Sequence, residues 1–228
     1  MRLSRALVDR VIAEGEHDDG PPPGLTATTP EDIAGYVATI LGAEPDAPEI
    51  WIFAYGSLIW KPACNFVEIR TGVLNGWHRA FCLGWNTRFR GCVKNPGLML
   101  ALDRGGACNG VLYRLPPDAV DDNLTLLCQR EMGHKPSSFP PRWVTVRSAQ
   151  GPVRAVTFCV DRNGGRYVTG LDEAAVADVL AKAAGPRGSM AEYLYQTVRH
   201  LEDMGVHDSH LWRLQELVAE RLEALTSA

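Results

Sequence analysis

Two stretches of this chain carry residue types and spacings that can do chemistry. The first is "AYGSLIW", residues 54–60, in which a glycine and a serine interrupt an apolar run. Three readings are open for it: a serine nucleophile, a plain strand end, or a cradle of backbone N–H groups for a polar ligand. A nucleophile elbow needs glycine two residues before and two residues after the serine. Here those positions are Tyr55 and Ile59, so the nucleophile reading of Ser57 fails. The cradle suits Gly56, because a residue without a Cβ lets the backbone approach a ligand closely, with Ser57 and Leu58 completing the turn. Tyr55 reads equally well as a substrate contact or as a buried strand tyrosine whose hydroxyl is satisfied inside the fold.

The second stretch is "DAVDDNLTLLCQREM", residues 118–132. Val120, Leu124, Leu127, Cys128 and Glu131 recur at helical spacing, which places Glu131 on the apolar stripe. A carboxylate aimed at apolar surroundings is costly, and desolvation raises its pKa. That shift turns a glutamate into a usable general base near neutral pH. The alternative is a structural glutamate paired with a strand arginine such as Arg70, Arg79, Arg88 or Arg90, and the spacing leaves both readings open. Arg130 lies about 100° round the helix and is a poor neutralising partner on spacing alone. His200, His207 and His210 have no HExxH pattern or carboxylate partner at metal-ligand spacing, and they read as surface or hinge residues. The phosphate-cradling patterns GxxxxGK[ST] and GxGxxG after a strand are absent. The expected activity is therefore independent of metal.

The elements that must position these residues follow from composition and texture. The chain has 228 residues, 46% hydrophobic and 22% charged, with a net charge of −4, ordinary values for a soluble globular protein and no footprint for nucleic acid. No apolar run reaches the roughly 18 residues of a membrane span. The start, "MRLSRALVDRVIAEGEHDD", lacks the apolar core of a secretory leader, so the expected location is cytoplasmic. The six cysteines form no CxxC pair and read as small buried hydrophobes in a reducing compartment. Residues 2–14 have the spacing of a short amphipathic helix, and "GEHDDGPPPGLTATT" (15–29) has the composition of a linker. Thr29-Pro30-Glu31-Asp32 is a helix start, with a hydroxyl cap, proline in the first turn and acids beside it. Residues 1–46 are thus expected to form a helical arm and linker, removable without unfolding a domain spanning 47–228. From Glu49 the texture becomes that of short strands, interrupted by one helix over about 117–132, and after Asp172 everything reads helical. Strands followed by helices argue for an α+β fold with a curved or closed, barrel-like sheet and C-terminal helices.

With these elements in place, "WIFAYGSLIWKP", "LNGWHRAFCL", "NGVLYRL", "QREM", "RWVTV" and "YLYQTVRHLEDMGVHDSHLWRL" resemble the ChaC family of glutathione-specific γ-glutamylcyclotransferases, from about Glu49 to about Val218. The resemblance implies the γ-glutamylcyclotransferase-like fold and cleavage of glutathione to 5-oxoproline and cysteinylglycine without a cofactor. It implies that Tyr55, Gly56, Ser57 and Leu58 hold the γ-glutamyl group, that Glu131 is the catalytic acid–base, and that Tyr193 lines the site. One departure stands out. The family usually follows its R-E pair with a glycine-tyrosine turn. Here "MGHKPSSFPPRW" keeps Gly133 but brings Phe139 and three prolines where a tyrosine hydroxyl is expected. That bears on strictness for glutathione over other γ-glutamyl compounds. The glycine carboxylate of glutathione needs a cation, for which Arg88, Arg90 and Lys94 stand as candidates against a solvated loop. A non-catalytic γ-glutamyl-binding module is the rival reading, disfavoured by the inward glutamate.

Overall fold

The computed structural model describes residues 1–13, 15, 20–22 and 24–225. The end of the first expected helix at Glu14, and Glu16–Asp19 and Pro23 of the expected linker, lie outside the described residues. In chain order the elements begin with α1 (Arg5–Val8), β1 (Thr26–Ala27), α2 (Pro30–Ala43), β2 (Trp51–Ala54), α3 (Ser57–Trp60), β3 (Glu68–Asn86) and β4 (Gly97–Arg114). They continue with α4 (Val120–Glu131), β5 (His134–Lys135), β6 (Pro141–Ser148), β7 (Gly151–Phe158), α5 (Glu173–Lys182), β8 (Ala184–Gly185), β9 (Gly188–Ser189), α6 (Met190–Asp203) and α7 (Ser209–Ala224). These form two units, a barrel unit of Pro21–Ala80 and Ala101–Gly165, and a helical unit of Met1–Gly20, Phe81–Leu100 and Arg166–Ala228.

In the barrel unit the sheet closes in the order β2-β4-β3-β6-β7. Strand β2 runs antiparallel to β4, with Trp51 opposite Arg114 and Ala54 opposite Val111, and parallel to β7, with Ile52 opposite Val156. A strand with partners on both edges and cover on both faces reads as a continuous apolar run, and all of "WIFA" is buried. The Thr157 hydroxyl, fully buried, donates to the Phe53 carbonyl at 2.9 Å and pins β2 to β7. Gly110 lets β4 pass close to the end of β2, since a Cβ there would meet the Ala54 carbonyl and the Phe53 ring at 2.6 Å. Strands β6 and β7 form a hairpin in which Val144 and Val146 face inward between exposed neighbours.

Helix α2 begins as its sequence dictates. Asp32 N–H donates to the Thr29 hydroxyl at 3.2 Å and Thr29 N–H to the Asp32 carboxylate at 2.8 Å, a capping box with Pro30 in the first turn. It packs on α4, burying Ile33, Val37 and Ile40, and the Trp143 indole donates to the Ile40 carbonyl at 2.9 Å. Just upstream, β1 pairs with β5, and Lys135 bonds Asp32 at 2.6 Å.

The helical unit is built from the C-terminal helices and the start of the chain. Helices α5, α6 and α7 pack on one another, each capped by a side chain: Asp172, Ser189 and Asp208 accept from the amides of Ala175, Glu192 and Leu211. Helix α1 lies against α6 and α7. Leu3 is fully buried with its N–H on the Gln215 side chain at 2.8 Å, and Arg2 reaches Glu220 and Glu223 at 2.8 and 2.6 Å. The structural division of the chain therefore does not follow the break expected at residue 46. Leu3 and Leu7 occupy core positions and are not the stripe of a separate arm, because the helices they pack against are supplied by the far end of the chain.

Candidate active site

The residues singled out by the sequence fall into both units. Tyr55, Gly56, Ser57, Leu58 and Glu131 belong to the barrel unit, and Tyr193 to the helical unit. At the end of β2, Gly56 caps the four-residue helix α3 without a side-chain bond. Ile59 N–H donates to the Gly56 carbonyl at 2.9 Å and Lys61 N–H to the Ser57 carbonyl at 2.8 Å. The amides of Ser57 and Leu58 sit in the first turn, where a helix has no internal acceptor to offer. Leu58 is buried and Ser57 half-buried. The Tyr55 hydroxyl donates to the Phe158 carbonyl at 3.0 Å in the interior, so the satisfied-tyrosine reading describes at least one of its roles.

Glu131 closes α4 on the stripe formed by Leu124, Leu127 and Cys128, all fully buried. Helix α4 is held toward the turn by Asn123, whose side chain accepts from Asn65 N–H at 2.6 Å and donates to the Ala119 carbonyl at 2.7 Å. Burial pushes the Glu131 carboxyl above the ordinary glutamate value, and Arg130 pulls in the opposite direction.

Arg130 corrects the spacing argument. Its Nε lies 3.2 Å from Glu131 Oε1, so it is the neutralising partner that a position about 100° round the helix had seemed to exclude. The guanidinium fork folds across the helix end, donating through Nη2 to the Ser57 hydroxyl at 2.8 Å and through Nη1 to the Lys61 carbonyl. One side chain thus joins the glycine-serine turn to the carboxylate. Of the strand arginines weighed as partners of Glu131, Arg70 bonds Glu68 at 2.6 Å and Arg90 bonds Glu192 at 3.1 Å. Arg79, only 3% exposed, donates through Nε to the Tyr55 carbonyl at 2.6 Å and through Nη2 to the Asn109 carbonyl. Neither Arg130 nor Arg79 was singled out for the site from sequence. The adjacency of Arg130 to Glu131 was the available signal, and Arg79 had none beyond its strand position.

Burial raises the thiols of Cys64 and Cys128 to about 11, so both stay protonated at neutral pH and supply no thiolate nucleophile beside the turn. Phe139 stacks on Phe158 with ring centroids 6.0 Å apart and is buried, so this part of the departure after Glu131 packs into the core. Among the described residues no group of three or more His, Cys, Asp or Glu is arranged to hold a metal ion. His200 bonds the Gln196 carbonyl, His207 Glu202 and His210 Glu173.

In the helical unit, Tyr193 is buried on α6, edge-on to Phe81 with centroids 6.2 Å apart and with the Arg90 guanidinium 5.5 Å from its ring centre. The Asn86 side chain accepts from the amides of Phe89 and Arg90 at 2.9 and 3.1 Å and orders the loop that carries Arg88 and Arg90. Among the described residues no helix is long and apolar enough to cross a membrane.

Comparison with known proteins agrees with this architecture. The chain is 41% identical over 182 residues to the glutathione-specific gamma-glutamylcyclotransferase of Escherichia coli (strain K12), covering 79% of this chain and 78% of that protein. It is 28% identical over 218 residues to glutathione-specific gamma-glutamylcyclotransferase 1 of Mus musculus, covering 92% and 93%. A crystal structure of a gamma-glutamyl cyclotransferase specific to glutathione from yeast superposes with a TM-score of 0.68 at 21% identity, covering 75% of this chain and 96% of that one, which establishes a shared fold. Residues 50–221 match the ChaC-like protein family, to which this chain belongs.

Proposed function

We propose that this chain is a γ-glutamylcyclotransferase that cleaves glutathione to 5-oxoproline and cysteinylglycine. The observation that carries the reading is the Arg130 link: a single guanidinium binds both the Ser57 hydroxyl of the turn and the carboxylate of Glu131, which burial makes more basic. The curated relatives named for this activity support it.

The reaction asks little of the protein. The γ-glutamyl group carries its own nucleophile, the α-amine, which reaches its own γ-carbonyl through a five-membered ring. Holding the extended side chain in a near-attack conformer supplies much of the rate. Glu131 accepts a proton from the ammonium, the freed amine attacks the γ-carbonyl carbon, the C–N bond to the cysteinyl residue breaks as that nitrogen takes the proton from Glu131, and the second proton shed by the ring nitrogen converts the released amine to its ammonium form. Backbone N–H groups of the 56–58 turn stabilise the carbonyl oxygen as it gains charge, or hold the α-carboxylate. In this reading Tyr55, Gly56, Ser57 and Leu58 form the γ-glutamyl cradle, and Tyr193 enters through the family pattern alone. We place the protein in the cytoplasm, a reading supported by cysteines that are free thiols, five of the six buried.

The test is release of 5-oxoproline from glutathione by the purified protein in chelator-treated buffer. Turnover there is the expected outcome. Complete loss after EDTA with rescue by zinc would falsify the metal-free mechanism. The departure from the family pattern after Glu131 favours one variation, a site less strict toward the distal part of the substrate. Mass spectrometry across several γ-glutamyl dipeptides and amines measures that strictness.

A further inference from the structure

We infer that Arg79 is a positioning residue that aims the backbone N–H of Gly56 by gripping the carbonyl on the other side of the same peptide. The inference rests on the cyclotransferase reading above. Arg79 lies on β3 and is 3% exposed, an expensive place for a guanidinium unless it is spent on hydrogen bonds. Its Nε–H donates to the Tyr55 carbonyl at 2.6 Å, a short, charge-assisted bond. Its Nη2 donates to the Asn109 carbonyl, beside the Gly110 position where β4 passes the end of β2. The fork therefore ties the exit of β2 to β4 at the point where the chain leaves the sheet.

The consequence follows from peptide planarity. In a trans peptide the C=O of one residue and the N–H of the next point in opposite directions within one rigid plane. The Tyr55–Gly56 bond is not among the cis bonds of the chain. Fixing the Tyr55 carbonyl toward Arg79 fixes the Gly56 N–H away from it. Gly56 is the residue that needs this help. It has no side chain to set the plane, and as the cap of α3 it makes no side-chain bond. A donor aimed in advance at developing charge is worth far more than one that must reorient during the reaction. Arg130 holds Ser57 through its hydroxyl, so the turn is gripped on either side of Gly56 by different arginines.

Gly56 follows the only tyrosine in the sequence that precedes a glycine. Labelling the full-length protein with [13C′]tyrosine and [15N]glycine therefore isolates a single amide signal, that of Gly56. Arg79→Lys keeps the charge but lacks the fork to hold both carbonyls. With glutathione as substrate, the expected result for Arg79→Lys is a fall in kcat of at least ~10-fold, somewhat below the loss of a whole oxyanion donor. KM should change little, and the Gly56 signal should move or broaden. Leu3→Ala, which lowers stability in the helical unit, serves as the control and should leave kcat and the Gly56 signal in place. Turnover of Arg79→Lys within two-fold of the parent, or an unmoved Gly56 signal, overturns the inference alone. A parent protein that releases no 5-oxoproline overturns the cyclotransferase reading itself. If Arg79→Lys does not fold, the parent decides. A scalar coupling across the hydrogen bond from [15N]Arg79 Nε to the Tyr55 carbonyl carbon supports the grip, and its absence refutes it.

Discussion

Each unit holds an arginine–glutamate pair at a helix end, and the two pairs are opposites. In the helical unit Glu192 sits in the first turn of α6, where the positive end of the helix dipole favours a carboxylate. Its N–H is capped by Ser189 at 3.0 Å, and its carboxylate meets Arg90 at 3.1 Å and Arg5 at 3.5 Å. In the barrel unit Glu131 is the last residue of α4, at the negative end of the dipole, on a buried apolar stripe, with Arg130 pulling against the desolvation. The first pair is arranged as a structural clamp. The second keeps a carboxylate where folding alone would not put one, a mismatch that supports the acid–base role proposed for Glu131.

The largest perturbation removes what covers both helices. Deleting residues 1–45 strips α1 from α6 and α2 from α4, uncovering the partners of Leu3, Leu7, Val8, Ile33, Val37 and Ile40. Full burial of one such side chain contributes about 1.5–3 kcal/mol, and six together rival a total stability of about 5–15 kcal/mol. The expected outcome is loss of cooperative thermal unfolding by circular dichroism, the reverse of what the linker composition suggested. A truncated protein that melts cooperatively near the parent temperature would show that neither helix end depends on this cover.

Next comes Glu131→Gln, which keeps the volume and removes the proton acceptor. Turnover of glutathione should fall by at least ~10²-fold, the lower range for a positioned acid–base group, while the melting temperature holds or rises. If the glutamate were instead a buried structural partner, stability would drop by several kcal/mol, roughly 3–5, with turnover in the surviving fold nearly intact. Melting temperature and kcat measured on the same sample separate the two cases.

The pH dependence of that variant gives a smaller and more specific signal. Because the folded-state pKa of Glu131 is raised, the folded protein binds this proton more tightly than the unfolded chain does. Ionised Glu131 therefore costs stability above its folded pKa, and the cost disappears as pH falls through the raised value into the ordinary carboxylate range. The stability advantage of Glu131→Gln at neutral pH should shrink to nothing over that window in urea titrations. The acidic limb of kcat/KM in the parent should lie in the same window, since protonated Glu131 cannot act as base. Arg130→Gln removes the opposing charge and should move that limb to higher pH. A limb that stays in place would mean that Arg130 does not tune the carboxylate.

Glu192→Gln should have the smallest effect. Its pair with Arg90 is partly exposed, so a loss of about 0.5–1 kcal/mol is expected, with glutathione turnover unchanged. A large loss of turnover without a matching loss of stability would erase the distinction between the two pairs.

Much of this was legible in the sequence because it is local. The Thr29-Pro30-Glu31-Asp32 start is read from residue chemistry within one turn, and the hydroxyl cap appears where expected, completed into a capping box by Asp32. The apolar stripe ending at Glu131 needs only the helical period, and the continuous run of β2 needs only the rule that doubly covered strands do not alternate. The Tyr55 hydroxyl on the Phe158 carbonyl, the cover supplied by α1 and α2, and the buried reach of Arg79 each join segments far apart in the chain.

The sequence by itself determined where α2 and α4 form, that a glycine-serine turn ends an apolar strand, and that a glutamate closes an apolar helix face, since each depends on neighbours within a few residues. Only the tertiary structure decided which charges meet them. Barrel closure orders the strands β2-β4-β3, and the Arg79 guanidinium reaches across from β3 to the Tyr55 carbonyl at the end of β2. The approach of α4 to the turn lets Arg130 span Ser57 and Glu131, because a long flexible side chain goes where acceptors have been assembled rather than where its Cβ points.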